Sequence, residues 1–144
     1  MGDGPVVNGP AMENPMPLIR ISLRAGKPAA YRRAIADSIY EALRETFDVP
    51  ENDFFATIAE HGEDEFIYDP RYFNIERTDD LVLVQLTVSN TRTVEQKKAL
   101  YRGIAARLAK NPGLRPQDVF LNLVEVAREN WSFGNGEAQY AQPL

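Results

Sequence analysis

Asp53-Phe54-Phe55-Ala56-Thr57-Ile58-Ala59-Glu60 recurs as Asp118-Val119-Phe120-Leu121-Asn122-Leu123-Val124-Glu125, 65 positions further on. The same offset sets Arg32-Arg33-Ala34-Ile35 on Lys97-Lys98-Ala99-Leu100, Ile39 on Ile104, and Leu43 on Leu108. It also sets Leu18-Ile19-Arg20-Ile21 on Leu83-Val84-Gln85-Leu86. One constant offset through separate segments, without a gap, marks an internal duplication, and a duplicated chain builds one supersecondary unit twice.

Each unit reads strand, helix, strand. In the first, residues 17–23 are β-like, Pro28 opens a helix, and Tyr31, Ile35, Ile39 and Leu43 repeat every four residues as one buried stripe. Asp48 and Pro50 end that helix, and residues 54–60 give the next strand. In the second unit residues 81–88 are a strand. Thr93 and Gln96 have the spacing of a capping box, Leu100, Ile104 and Leu108 make the stripe, and Asn111-Pro112-Gly113 stops the helix. Residues 118–126 close the unit.

A helical crossover joins parallel strands, and right-handed crossovers place both helices on one face. The expected fold is therefore α+β: duplicated β-α-β units, about 17–60 and 81–126, forming a four-stranded mixed sheet with two helices on one face. A ferredoxin-like monomer shares this order of elements. Leu81-Val82-Leu83-Val84 and Val119-Phe120-Leu121 read as apolar on both faces, which calls for cover on both sides. Copies of the same chain are the expected cover for the bare face, in a closed oligomer.

The remaining segments frame these units. Residues 1–16 hold Gly2, Gly4, Gly9, Pro5, Pro10 and Pro15 and lack the charged start and apolar centre of a signal peptide. They read as a flexible leader before a single domain at 17–144. The connection 61–80 is long enough to be partly structured. The tail 127–144 carries Trp131-Ser132-Phe133-Gly134-Asn135-Gly136; its two aromatic rings share a face when extended, and its glycines suit a hairpin turn.

Composition narrows the function. The 144 residues carry a net charge of −5 without a basic run, a poor match to nucleic acid or anionic lipid. No apolar run approaches the roughly 20 residues of a membrane helix. Zero cysteines exclude disulfides, thiol catalysis and cysteine-based zinc sites, and one histidine excludes a histidine-rich cage. No metal and no cofactor is expected, and the expected location is the cytoplasm.

Met16-Pro17-Leu18, Asp48-Val49-Pro50 followed by Asp53, Thr87-Val88 leading to Arg92 and Glu95-Gln96-Lys97, and Trp131-Ser132-Phe133-Gly134 occur in that order. On a duplicated β-α-β frame this set resembles the tautomerase superfamily, in particular the branch of malonate semialdehyde decarboxylase and 4-oxalocrotonate tautomerase-like enzymes. The resemblance implies a homotrimer, an amino-terminal proline as acid/base, an acidic partner and one or two arginines. By position these are Pro17 as acid/base, Asp53 as acidic partner and Arg92 as clamp for a small carboxylate substrate. Asn90 falls where a second arginine stands in the decarboxylase branch, and is a candidate substrate contact. Trp131 and Phe133 would be apolar wall. The implied reaction is tautomerisation of a small 2-oxo or unsaturated carboxylate, with decarboxylation or hydration as a related activity.

Each candidate also has a purely structural reading. Pro17, bonded to Met16 in this chain, is an amide and not a base; it then merely starts a strand. On that reading the chain is a catalytically silent trimeric relative that binds or scaffolds. Asp53 opens a strand just as Asp118 does. Arg92 sits in a strand-to-helix loop and Asn90 in a turn. Trp131 and Phe133 fit packing or an interface. His61, in Glu60-His61-Gly62-Glu63-Asp64-Glu65, belongs to a hydrated acidic loop, and Arg32-Arg33 and Lys97-Lys98 to outer helix faces.

Overall fold

The computed structural model describes residues 17–141; the leader 1–16 and residues 142–144 lie outside the described residues. Strand β1 (Leu18–Arg24) leads to helix α1 (Ala29–Phe47) and strand β2 (Phe55–His61). The second unit repeats this as β3 (Val82–Ser89), α2 (Val94–Lys110) and β4 (Val119–Val126). The sheet order is β2-β1-β3-β4, parallel within each unit and antiparallel between β1 and β3.

The duplication is reproduced in the register. Leu18 faces Phe55 in the first unit and Val82 faces Val119 in the second, the same separation in both. Across the central pair Arg20 faces Gln85. These two residues are also equivalent under the repeat, so the axis relating the halves passes between them. An ion pair is duplicated as well: Arg32 to Glu60 at 3.4 Å, and Lys97 to Glu125 at 3.0 Å. Each joins the first turns of a helix to the strand that follows it.

Sequence periodicity accounts for the core. Ile35, Ile39 and Leu43 of α1 and Leu100, Ile104 and Leu108 of α2 are completely buried against Ile19, Ile21, Leu23, Val82, Val84, Leu86 and Val88. Both helices therefore cover one face of the sheet. They approach closely where Gly103 would set a Cβ 3.7 Å from that of Ala42. Thr93 and Gln96 form the expected capping box. Asp48, in the left-handed conformation with φ 57°, ends α1. The connection 61–80 contains short helical turns at Glu63–Glu65 and Tyr72–Asn74.

Two expectations need correction. The sheet face away from the helices is not uniformly apolar: β3 alternates, with Leu83 and Thr87 partly covered and Gln85 exposed between buried valines and Leu86. The face away from the helices mixes Leu18, Leu83 and Phe120 with Arg20, Ser22, Gln85 and Asn122. Consecutive apolar letters in Leu81–Val84 had masked this period of two. The tail also forms no β-hairpin; no strand follows Val126 among the described residues. It reverses at Gly134, Asn135 and Gly136, all with positive φ. Side-chain contacts hold the reversal in place of a ladder.

Candidate active site

At one end of the sheet β1 and β2 begin, β3 and β4 finish, α1 ends and α2 starts. All the candidate residues gather there. Pro17 is buried and immediately precedes β1. Leu18 is partnered by Phe55 on one side and Thr87 on the other. Pro17, one step earlier, therefore stands between the entry of β2 and the exit of β3.

Asp53 lies at that entry. Tyr40 fixes the loop before it: its hydroxyl donates to the Pro50 carbonyl at 2.7 Å and also contacts the Glu51 carbonyl, and its ring stacks on Phe54 at 4.2 Å. Asp53 is 9% exposed, and its buried Oδ1 has no hydrogen-bond partner among the described residues. Desolvation penalises the charged carboxylate and pushes its pKa up from 3.8 to about 6. Asp118, its repeat equivalent, is saturated instead. It accepts from the Thr78 backbone N–H at 2.7 Å and from the Thr78 hydroxyl at 2.6 Å.

Arg92 enters from the loop between β3 and α2. Its guanidinium donates to the Phe47 carbonyl at the end of α1 and to the Thr91 hydroxyl, and lies 5.0 Å from the centre of the Phe47 ring. Burial lowers its pKa, while Asp48 and Tyr140 act in the opposite direction. It makes no ion pair with a described carboxylate. Both terminal nitrogens are engaged, and the second N–H of each, with the Nε–H, remains to be offered to an anion. Asn90 is exposed, and its backbone N–H donates to the Val126 carbonyl at 3.0 Å, so it forms the bend after β3.

Trp131 and Phe133 stack with centroids 5.6 Å apart, and Phe133 meets Tyr140 edge-on at 4.7 Å. The Trp131 indole N–H donates to the Ser89 hydroxyl at 2.9 Å. Ser89, Tyr140 and Tyr40 were not singled out from the sequence. A serine closing a strand carries no pattern, and its partner is 42 residues away.

His61 sits at the opposite end, its ring 5.8 Å from that of Phe66. Among the described residues no three His, Cys, Asp or Glu side chains converge to hold a metal ion. Nor is any helix among them long and apolar enough to cross a membrane.

A duplicated β-α-β sheet with a buried proline, an orphaned carboxylate and a half-buried arginine at one end defines a recognisable class of protein. Two profiles of the tautomerase enzyme family match the sequence, one over residues 53–134 and the other over residues 17–74. A probable tautomerase of Bacillus subtilis, YusQ, is 44% identical over 124 residues, covering 86% of this chain and 98% of the relative. A malonate semialdehyde decarboxylase, solved in wild-type, proline-to-alanine mutant and inactivated forms, superposes with a TM-score of 0.80 at 30% identity. That match covers 85% of this chain and 95% of the other. A fused 4-OT symmetric trimer shares the fold with a TM-score of 0.71 at 20% identity, over 88% and 99% of the two chains. The chain belongs to the tautomerase family.

Proposed function

We propose that this protein interconverts the keto and enol forms of a small 2-oxo or unsaturated carboxylate, with Pro17 as the acid/base. The observation that carries the proposal is the orphaned Oδ1 of Asp53, buried at the end of the sheet where Pro17 and Arg92 also lie. A buried carboxylate left without a partner costs stability, and an arrangement held at such a cost fits a group reserved for substrate.

The chemistry follows from the residue types. A free terminal amine titrates near 7.7–8.0, and burial favours its neutral form. Neutral Pro17 would take a proton from the carbon beside the substrate carbonyl and return it at the other end of the conjugated system. Arg92 would hold the carboxylate by two parallel hydrogen bonds. Asp53, with its pKa near 6, would relay or hold the proton in transit. Trp131 and Phe133 would exclude water. Asn90 offers amide hydrogen bonds where a second arginine would offer charge, which favours tautomerisation over the decarboxylation or hydration named for the malonate semialdehyde decarboxylase. The half-apolar open face of the sheet, with Phe120 and Leu83, supports assembly as a trimer like that of the fused 4-OT relative.

Pro17 can act only if its nitrogen is free, and in the sequence that nitrogen is acylated by Met16. This bond favours a second reading, a silent trimeric relative that binds or scaffolds. The test compares protein beginning at Pro17, its Pro17→Ala variant and the full chain in ketonising the enol of phenylpyruvate. Turnover by the first alone supports proline chemistry; equal rates in all three reject it. Intact mass of the protein from its natural source tells which form exists, and retention of residues 1–16 supports the silent reading.

A further inference from the structure

The buried polar side chains among the described residues are Asp53, Ser89 and Asp118. Asp118 ties the connection before β3 to the sheet through Thr78. Asp53 is the orphan of the candidate site. Ser89 has a different task. It closes β3 with no exposed surface, and its hydroxyl receives the indole N–H of Trp131 at 2.9 Å.

Trp131 belongs to a tail that is closed on itself. The Gln139 side chain accepts from the Phe133 backbone N–H and donates to the Gly134 carbonyl, both at 2.9 Å. The Trp131, Phe133 and Tyr140 rings are in successive contact. The loop that carries Arg92 hangs from the same serine: the Thr91 backbone N–H donates to the Ser89 carbonyl at 2.9 Å, and the Thr91 hydroxyl receives the Arg92 guanidinium. Ser89 therefore joins the ring series, through Trp131, to the loop that presents the guanidinium. A stack of rings can slide as a unit over an apolar surface; a directional hydrogen bond from a buried acceptor sets where it stops.

We infer that Ser89 is a positioning residue of the site: by holding the Trp131 indole N–H it fixes the aromatic wall Trp131–Phe133–Tyr140 beside Arg92 and so sets the fit for small carboxylates. The inference rests on the reading of Arg92 as carboxylate clamp and does not require Pro17 to be free. Removing the acceptor leaves a buried N–H unpaired or lets the indole turn toward water. In either case the wall loses its register with the clamp, and binding suffers while proton transfer does not.

Trp131 is the one tryptophan of the chain, so its emission reports the wall directly. The experiment compares protein beginning at Pro17 with its Ser89→Ala, Trp131→Phe and doubly substituted variants, all checked for an intact fold by circular dichroism. Ser89→Ala should shift the tryptophan emission to the red. It should weaken 2-oxobutanoate binding, read by quenching of that emission, and raise KM for the enol of phenylpyruvate about three- to tenfold, the worth of one hydrogen bond. The kcat should stay within twofold. In the Trp131→Phe background Ser89→Ala should change KM no further, because the bond is already gone.

Unshifted emission in a folded Ser89→Ala protein, or KM penalties that simply multiply in the double variant, would overturn the inference. Should Ser89→Ala fail to fold, Trp131→Phe must by itself reproduce the KM rise, and an unchanged KM overturns the inference. Absence of turnover in every form would sink proline chemistry instead. The emission shift and the 2-oxobutanoate titration would then still decide the role of Ser89.

Discussion

Asp53 and Asp118 hold the same place in the two halves of the molecule, yet Asp118 is engaged by Thr78 and Arg115 while Asp53 keeps a buried oxygen with no partner among the described residues. Duplication supplied two identical carboxylates, and the connection before β3 captured one of them. Under the proposed function the pair separates a structural carboxylate from a working one within a single chain. Asp118→Ala should lower stability by about 2–3 kcal/mol, because it orphans the Thr78 donors, and leave turnover nearly unchanged. Asp53→Asn should do the reverse. Stability at pH 7 rises, since a desolvated charge is removed, and turnover falls by about 10²-fold or more if the carboxylate moves a proton. Urea melts and enol ketonisation measure both.

The raised pKa of Asp53 makes stability depend on pH in a stated direction. The carboxyl titrates near 3.8 unfolded and near 6 in the folded protein, so between those values the folded state binds the extra proton. Its penalty is absent below pH 3.8, grows as pH rises through the window, and is complete above pH 6. The full difference is on the order of 2–3 kcal/mol. Wild-type protein should thus lose stability relative to Asp53→Asn as pH rises from 4 to 7. Chemical denaturation at several pH values checks this; parallel curves for the two proteins would show that Asp53 is not buried as described.

Arg92 has a structural contact and, in the proposed reaction, a binding one, and one substitution can split them. Its guanidinium caps the end of α1 through the Phe47 carbonyl and faces Pro17's end of the sheet. Arg92→Lys keeps the charge but loses the planar fork. It should raise KM for the carboxylate substrate about tenfold or more with a smaller loss in kcat. It should also cost about 1 kcal/mol of stability from the lost bond to Phe47. Equal KM values for arginine and lysine would mean that a point charge suffices, and that the site does not grip a carboxylate with two prongs.

The fold was legible because the repeat has no gap: one offset marked both helices and all four strands. The capping box at Thr93 and Gln96 and the stop at Asp48 followed from local chemistry. The faces of the sheet were harder to read, since Leu81 to Val84 is a continuous apolar run in which burial nevertheless alternates. The site was half legible. Asp53 could not be told from Asp118 by sequence, because what distinguishes them is Thr78, which lies between the repeats. Ser89 meets Trp131 from 42 residues away, and no local pattern marks Ser89 or Tyr140.

The open face of the sheet gives the last prediction. Phe120 is 45% exposed and lies with Leu83, Arg20, Gln85 and Asn122 on the side the helices leave bare. A cavity of about 320 Å³ continues from Phe120 and Leu83 to Ile67 and Tyr72 of the long connection. Ile67 and Phe73 are more than four-fifths exposed. Phe73 holds a left-handed backbone (φ 63°), and Arg77 knits this segment together by donating to the Tyr72 and Ile75 carbonyls. Apolar side chains displayed on a braced segment beside an uncovered face belong at an interface. Phe120→Lys should therefore break the proposed trimer into monomers in light scattering while its circular dichroism remains native, because the helix-covered core does not involve this residue. Phe73→Ser should weaken assembly less, being at the rim. A wild-type protein that scatters as a monomer at micromolar concentration would show that this face is covered by something other than a second copy.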